Sequence, residues 1–174
     1  GTGTDQAGAK MTVGGGAATG NARSGDFAVT SGIVAASSAA DQTHGTRYFV
    51  ASRPRTLTES TATRVFTVTL ATGKWATIKI LGSTWATDNT EMQLNSDEVV
   101  ITAINQGGTM LFNVSTTASS KLSTGTLTST YTAVQAASTV EVKVNAVSSL
   151  TQTTLLTQWQ AWINADDPCT LTPD

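Results

Sequence analysis

DEVVITAI at 97–104, TMLFNV at 109–114 and STVEVKVNAV at 138–147 decide the fold of this chain. In the last stretch Val140, Val142, Val144 and Ala146 point one way, while Thr139, Glu141, Lys143 and Asn145 point the other. That period-two alternation belongs to a half-buried strand, with one face in a core and the other toward solvent or a sister chain. Asn105-Gln106-Gly107-Gly108 separates the first two stretches. A Gly-Gly between alternating runs predicts a tight hairpin, because glycine takes positive φ without steric cost.

The pattern continues on both sides. RYFVA at 47–51 predicts a strand, and Arg53-Pro54 after it marks an edge or a turn, since proline has no N–H to give a ladder. RVFTVTL at 64–70 sends Phe66, Val68 and Leu70 inward. KWATIKIL follows at 74–81 across Ala71-Thr72-Gly73, so the two predict a hairpin-like pair. Residues 82–96 hold Gly82-Ser83 and Asp88-Asn89, which predict a turn-rich segment with a short strand or an exposed loop around Trp85. GTLTSTYTAV at 125–134 alternates again, and TTLLTQWQAWI at 153–163 reads as the final strand. About eight short antiparallel strands with regularly spaced turn signals predict an all-β, jelly-roll-like antiparallel β-sandwich.

Composition agrees. Charged residues are 13% of the chain, about half the ordinary share, while Thr and Ser supply 34 and 16 of the 174 residues. Hydroxyls replace charges on the outer faces, and β-branched Thr suits a pleated surface. Strand edges with so few charges lack the usual guard against pairing with another chain. Burying them against identical chains is the simpler remedy.

A net charge of −2 and a pI near 5.3 leave no electrostatic footprint for nucleic acid or an anionic membrane. No apolar run reaches the ~20 residues that cross a bilayer, so membrane insertion is not expected. Arg47, Arg53 and Arg55 fall close together and read as salt-bridge or surface partners before an anion site. The lone Cys169 excludes an intrachain disulfide and a thiolate metal cluster, leaving a free thiol or an interchain bridge.

Residues 1–46 form the first of three predicted regions. The opening GTGTDQAGAKMTVGGGAATGNARSGDFAVTSG is too rich in Gly, Ala and Thr to fold alone. Its two apolar runs, Met11–Val13 and Phe27–Val29, predict short strands in an extended arm ordered by neighbouring chains, with a small polar connector after it. Residues 47–165 make the sandwich head and 166–174 a C-terminal tail. The chain begins at Gly1 rather than Met, so a processed form or a fragment is expected.

Chemistry is thinly represented. Asp97-Glu98 would point to opposite faces of a strand, a poor pair for glycoside hydrolysis, and solvated carboxylates are the simpler reading of the head's acids. His44 and Cys169 lack a third group to complete a nucleophilic site. Asp166, Asp167 and Asp174 lack the spacing of a Ca²⁺ loop. No catalytic residue, metal or cofactor is expected.

Tryptophan invites a binding role, with four among ten aromatics. Trp159 and Trp162 are three apart, so on a strand they face opposite sides and at least one leaves the core. With Met11, Val13 and Phe27 they are the candidates for a subunit interface. Trp85 beside Asp88 and Asn89 is the candidate ligand contact, a surface glycan stacking on the indole, although an ordinary turn capped by Asx side chains explains the same residues.

Several motifs occur together. Gly1-Thr2-Gly3-Thr4, Ala7-Gly8-Ala9, Met11-Thr12-Val13 and Gly14-Gly15 resemble a segment recurring in tailed-bacteriophage fibre and spike proteins. The head resembles the C-terminal domain often found after it, through Ala103-Ile104-Asn105-Gln106-Gly107-Gly108-Thr109, then Ser123-Thr124-Gly125-Thr126-Leu127-Thr128, then Ser148-Ser149-Leu150-Thr151. KWATIKILGSTW departs from the pattern, which usually opens with Gly-Gly and carries an acidic-Gly turn. The resemblance implies a homotrimeric virion protein on the phage particle surface, partnered with itself and with other tail or capsid proteins. Three roles remain open: a fibre or spike tip binding a host-surface glycan or protein, a capsid decoration protein or head spike, and a cellular β-sandwich adhesin.

Overall fold

The computed structural model describes residues 27–32, 44–51, 54–88, 90–122, 125–152, 154–165 and 169–174. They are all-β. In chain order the strands are β1 (Phe27–Gly32), β2 (His44–Val50), β3 (Arg55–Thr56), β4 (Thr63–Thr69), β5 (Trp75–Thr87) and β6 (Met92–Gln106). There follow β7 (Thr109–Leu122), β8 (Leu127–Ala136), β9 (Thr139–Ser148), β10 (Thr154–Ala165) and β11 (Thr170–Pro173).

Every pairing is antiparallel, and the strands form two sheets. The large sheet runs β1-β2-β10-β5-β6-β7, with β3 beside β10 where β2 has ended; the small sheet runs β11-β4-β9-β8. Phe66 of β4 meets Trp159 of β10 at 4.5 Å between ring centroids, and Ser129 of β8 bonds Asn95 of β6. The small sheet therefore covers the large one from β2, beside β11, to the edge strand β7, beside β8, and β1 stands at the other edge.

Alternation makes the core. Val140, Val142, Val144 and Ala146 are fully buried, as their spacing predicts, and they meet Ile78, Ile80, Val99 and Ile101 from the large sheet. Gly107 and Gly108 make the expected two-residue hairpin between β6 and β7, with φ of +63° and +90°.

The predicted hairpin of 64–70 with 74–81 does not form. β4 lies in the small sheet and β5 in the large one, so Ala71-Thr72-Gly73-Lys74 arches between the sheets. Buried Asn105 holds that arch: its Nδ2 donates to the Leu70 carbonyl at 2.8 Å, while its Oδ1 accepts the Gly108 N–H at 2.9 Å. One side chain thus ties the arch to the β6–β7 hairpin.

Residues 82–96 are mostly strand, and the turn signal at Asp88 falls in the short connection between β5 and β6. β5 continues through Trp85 to Thr87, and β6 begins at Met92. The stretch expected as a tail contains β11, which pairs with β4 from Thr170↔Thr69 to Pro173↔Phe66. Phe27–Val29, expected in the arm, belongs to β1 at the edge of the large sheet. The pairs β2·β10 and β4·β9 nest as they would in a jelly roll, but β5, β6 and β7 form a meander within one sheet.

Candidate functional site

The two outer faces of the sandwich differ in chemistry. On the small sheet Arg64, Thr67, Glu141, Lys143 and Thr132 look outward. Glu141 bonds Arg64 at 2.9 Å and Lys143 at 3.1 Å, which together hold its carboxyl below the usual range, Lys143 contributing first. Arg64 also pairs with Asp174. This is an ordinary solvated surface.

The outer face of the large sheet carries rows of apolar side chains between positions held by Thr, Ser, Asn and Gln. All but Val134 and Val147 of the large exposed hydrophobic side chains among the described residues lie on it. They fall in rows across the strands. Trp75, Ile104 and Leu111 are aligned partners on β5, β6 and β7, and around them lies a shallow hollow of about 470 Å³. Trp85 is flanked by Leu156 and Leu94, with Leu122 beyond. Phe27, Tyr48 and Trp162 make an aromatic row at the other side, with centroid separations of 6.2 Å and 5.4 Å.

Charge is nearly absent from this face. On its strand positions the described residues carry only Lys79 and Glu98, and these pair with one another at 3.0 Å. The Lys79 ammonium, ahead of the Thr117 hydroxyl, holds the Glu98 carboxyl below its ordinary range.

The candidate residues separate on this geometry. Trp162 is 41% exposed on the apolar face, while Trp159 points into the sandwich and stacks on Phe49 at 4.9 Å. Trp159 is a core residue, so its candidacy for an interface is corrected; one of the pair leaves the core, as the spacing required. Phe27 is half-buried on the apolar face. Met11 and Val13 lie outside the described residues, as does Asn89. Trp85 is half-buried within β5 rather than in a loop. Asp88 closes an Asx turn: its Oδ1 accepts the N–H groups of Thr90 and Glu91, both at 2.7 Å, which depress its pKa. That carboxylate is engaged by its own turn.

Other groups with potential chemistry are also committed to structure. Asp97 points inward and is 2% exposed, contrary to the expectation of a solvated acid; it accepts from Asn95 Nδ2 at 2.8 Å and from the Ser129 hydroxyl. Cys169 is buried, which pushes its thiol up to about 12 despite nearby Arg47. An interchain disulfide is therefore not within reach of its sulfur in this fold. Arg55 pairs with Asp174, as the salt-bridge reading expected, while Arg47 donates to the Ala165 carbonyl; Arg53 lies outside the described residues. A cleft of about 650 Å³ opens beside Arg55, Asp174, Pro54 and Val65, where Trp159 offers little exposed surface. Among the described residues no group of three or more His, Cys, Asp or Glu is placed to hold a metal ion.

The motif residues of the head form two braces. Asn105, Gly107 and Gly108 secure one end. At the other, Ser149 Oγ accepts from Thr126 N and from Gln93 Nε2, both at 2.9 Å, and Ser149 N donates to the Thr126 carbonyl at 2.8 Å. Gly125, at φ +90°, sits so close that a Cβ would lie 2.5 Å from Ser149 Oγ.

No protein-family model matches this chain, and no curated protein matches it. Among solved structures it is similar to the crystal structure of Acinetobacter baumannii phage AM24 tailspike protein, with a TM-score of 0.41 and 11% identity. The likeness covers 74% of this chain and 27% of that one.

Proposed function

We propose that this chain is a non-enzymatic structural protein of a bacteriophage particle, a homotrimeric fibre or spike tip that displays its sandwich toward the host surface. The observation that carries the reading is the role of the recurring motifs. Asn105-Gln106-Gly107-Gly108, Gly125-Thr126 and Ser148-Ser149 brace the two ends of the sandwich. They are positions at which the sequence resembles phage fibre and spike heads, and bracing both ends of the sandwich suits a module built for display. The buried acid, the buried thiol and the Asx-turn carboxylate are consistent with a mechanism of shape and avidity, in which linked copies multiply a weak surface affinity.

Cryo-electron microscopy of the particle that contains this protein, with antibody-gold labelling of the head, tests the assignment. Label at the fibre or spike tip is the expected result. Label on the capsid shell replaces this role with decoration, and absence from purified particles overturns the virion reading.

A further inference from the structure

We infer that the outer face of the large sheet is covered by further copies of this chain, Trp162 of one copy entering the hollow between Trp75 and Leu111 of the next. The inference rests on the self-association reading above and assigns it a surface.

The first argument is chemical contrast. The small sheet turns charges and threonines outward, whereas the large sheet turns outward Trp75, Ile104, Leu111, Trp162 and Leu122, each at least 39% exposed. Aromatic side chains are enriched where proteins meet, and an ordinary protein interface mixes apolar with polar area as this face does.

The second argument is size. Six strands about 4.8 Å apart, the longest rising about 3.3 Å per residue, present roughly 1,000 Å² on one face. A standard stable interface takes about 800 Å² from each partner. The face is large enough for one such contact, and too large to be a small-ligand cleft.

The third argument selects the occupant. Lys79 and Glu98 neutralise each other, so the face offers no charge to recruit a partner of opposite sign. It does carry both a projecting aromatic at β10 and a receiving hollow between β5 and β7. Projection and hollow on separate parts of one molecule are what closes a ring when identical copies associate head to tail.

Sedimentation equilibrium of the full chain, compared with Leu111→Lys, Trp162→Ala and the opposite-face control Val134→Lys, tests this. The wild type is expected to sediment as an oligomer. Leu111→Lys and Trp162→Ala are expected to weaken association at least 100-fold, and Val134→Lys by less than twofold. Circular dichroism checks that each variant is folded. An oligomeric wild type whose folded Leu111→Lys and Trp162→Ala variants associate unchanged overturns this surface and leaves self-association standing. A monomeric wild type at tens of micromolar overturns both.

Hydroxyl-radical footprinting of the wild type needs no variant. Protection of Trp75, Leu111 and Trp162 relative to Val134 in the oligomer is expected. Full oxidation of those three in an oligomer contradicts the assignment. Protection that appears only when an oligosaccharide is added to a single-chain species gives the face to a carbohydrate instead.

Discussion

The Tyr131 hydroxyl on β8 occupies the space above Gly82 on β5 that a side chain there would need. A Cβ on Gly82 would overlap that hydroxyl and lie 2.8 Å from Tyr131 Cζ, in the closed interior between the sheets. The small sheet approaches the large one closely because position 82 is glycine. We predict that Gly82→Ala destabilises the fold by about 2–3 kcal/mol, the scale of an overpacked core. Adding Tyr131→Phe recovers about 1 kcal/mol of that loss, because neighbouring substitutions that share one space couple. Urea unfolding of the single and double variants measures it, and additive effects would contradict the contact.

Asn105 supports one end of the sandwich. Asn105→Ala strips a partner from the buried Leu70 carbonyl and from the Gly108 N–H. The expected loss is about 2–3 kcal/mol, the cost of leaving such groups unpaired in a core. Denaturant midpoints check this, and a change below ~0.5 kcal/mol would show that the arch holds without the side chain.

Acid should weaken the fold through four half-buried carboxylates. Glu59 is depressed first by the Ser148 N–H and then by Gln152, Asp88 by the Thr90 and Glu91 N–H groups, Glu98 by Lys79, and Glu141 by Lys143 and Arg64. A carboxyl with a lower pKa in the folded state contributes stability that is complete above its unfolded value, about 4, and lost as pH falls through the folded value. Urea midpoints are therefore expected to decline below about pH 4, and a midpoint at pH 3 equal to that at pH 6 would contradict these pairings.

Cys169 should be inert while the protein is folded. Burial removes the sulfur from solvent and disfavours the thiolate, which is the reactive form. Ellman's reagent at pH 8 is expected to react only after denaturant is added. Immediate stoichiometric reaction of the native protein would place the thiol at the surface.

Where apolar residues alternate without interruption, strands could be read from the sequence alone: Val140 to Ala146 and the Gly107-Gly108 hairpin appear as their spacing predicts. β5 and β6 beyond Leu81 were hidden because the inward positions there are Gly82, Thr84 and Ala86 facing Gln93, Asn95 and Asp97. A polar interior erases the period-two signal that burial normally leaves. Turn residues 71–74 mark a reversal but not whether the next strand stays in its sheet, and Asn105, which ties the arch, lies 35 positions from its partner Leu70. β11 is too short for periodicity to show. Spacing did place one of Trp159 and Trp162 outside, but only the register of β10 against β5 assigns Trp162 to that side. The apolar rows of the outer face were not legible either, since they join residues far apart in sequence, from β1 to β10, through the register of the large sheet.

Native mass spectrometry of the full chain at micromolar concentration addresses the central claim most directly. Sheltering of the large sheet's outer face by sister copies predicts a dominant species at three times the 17.9 kDa chain mass. A homogeneous single-chain species, soluble and unchanged as concentration rises, would contradict it.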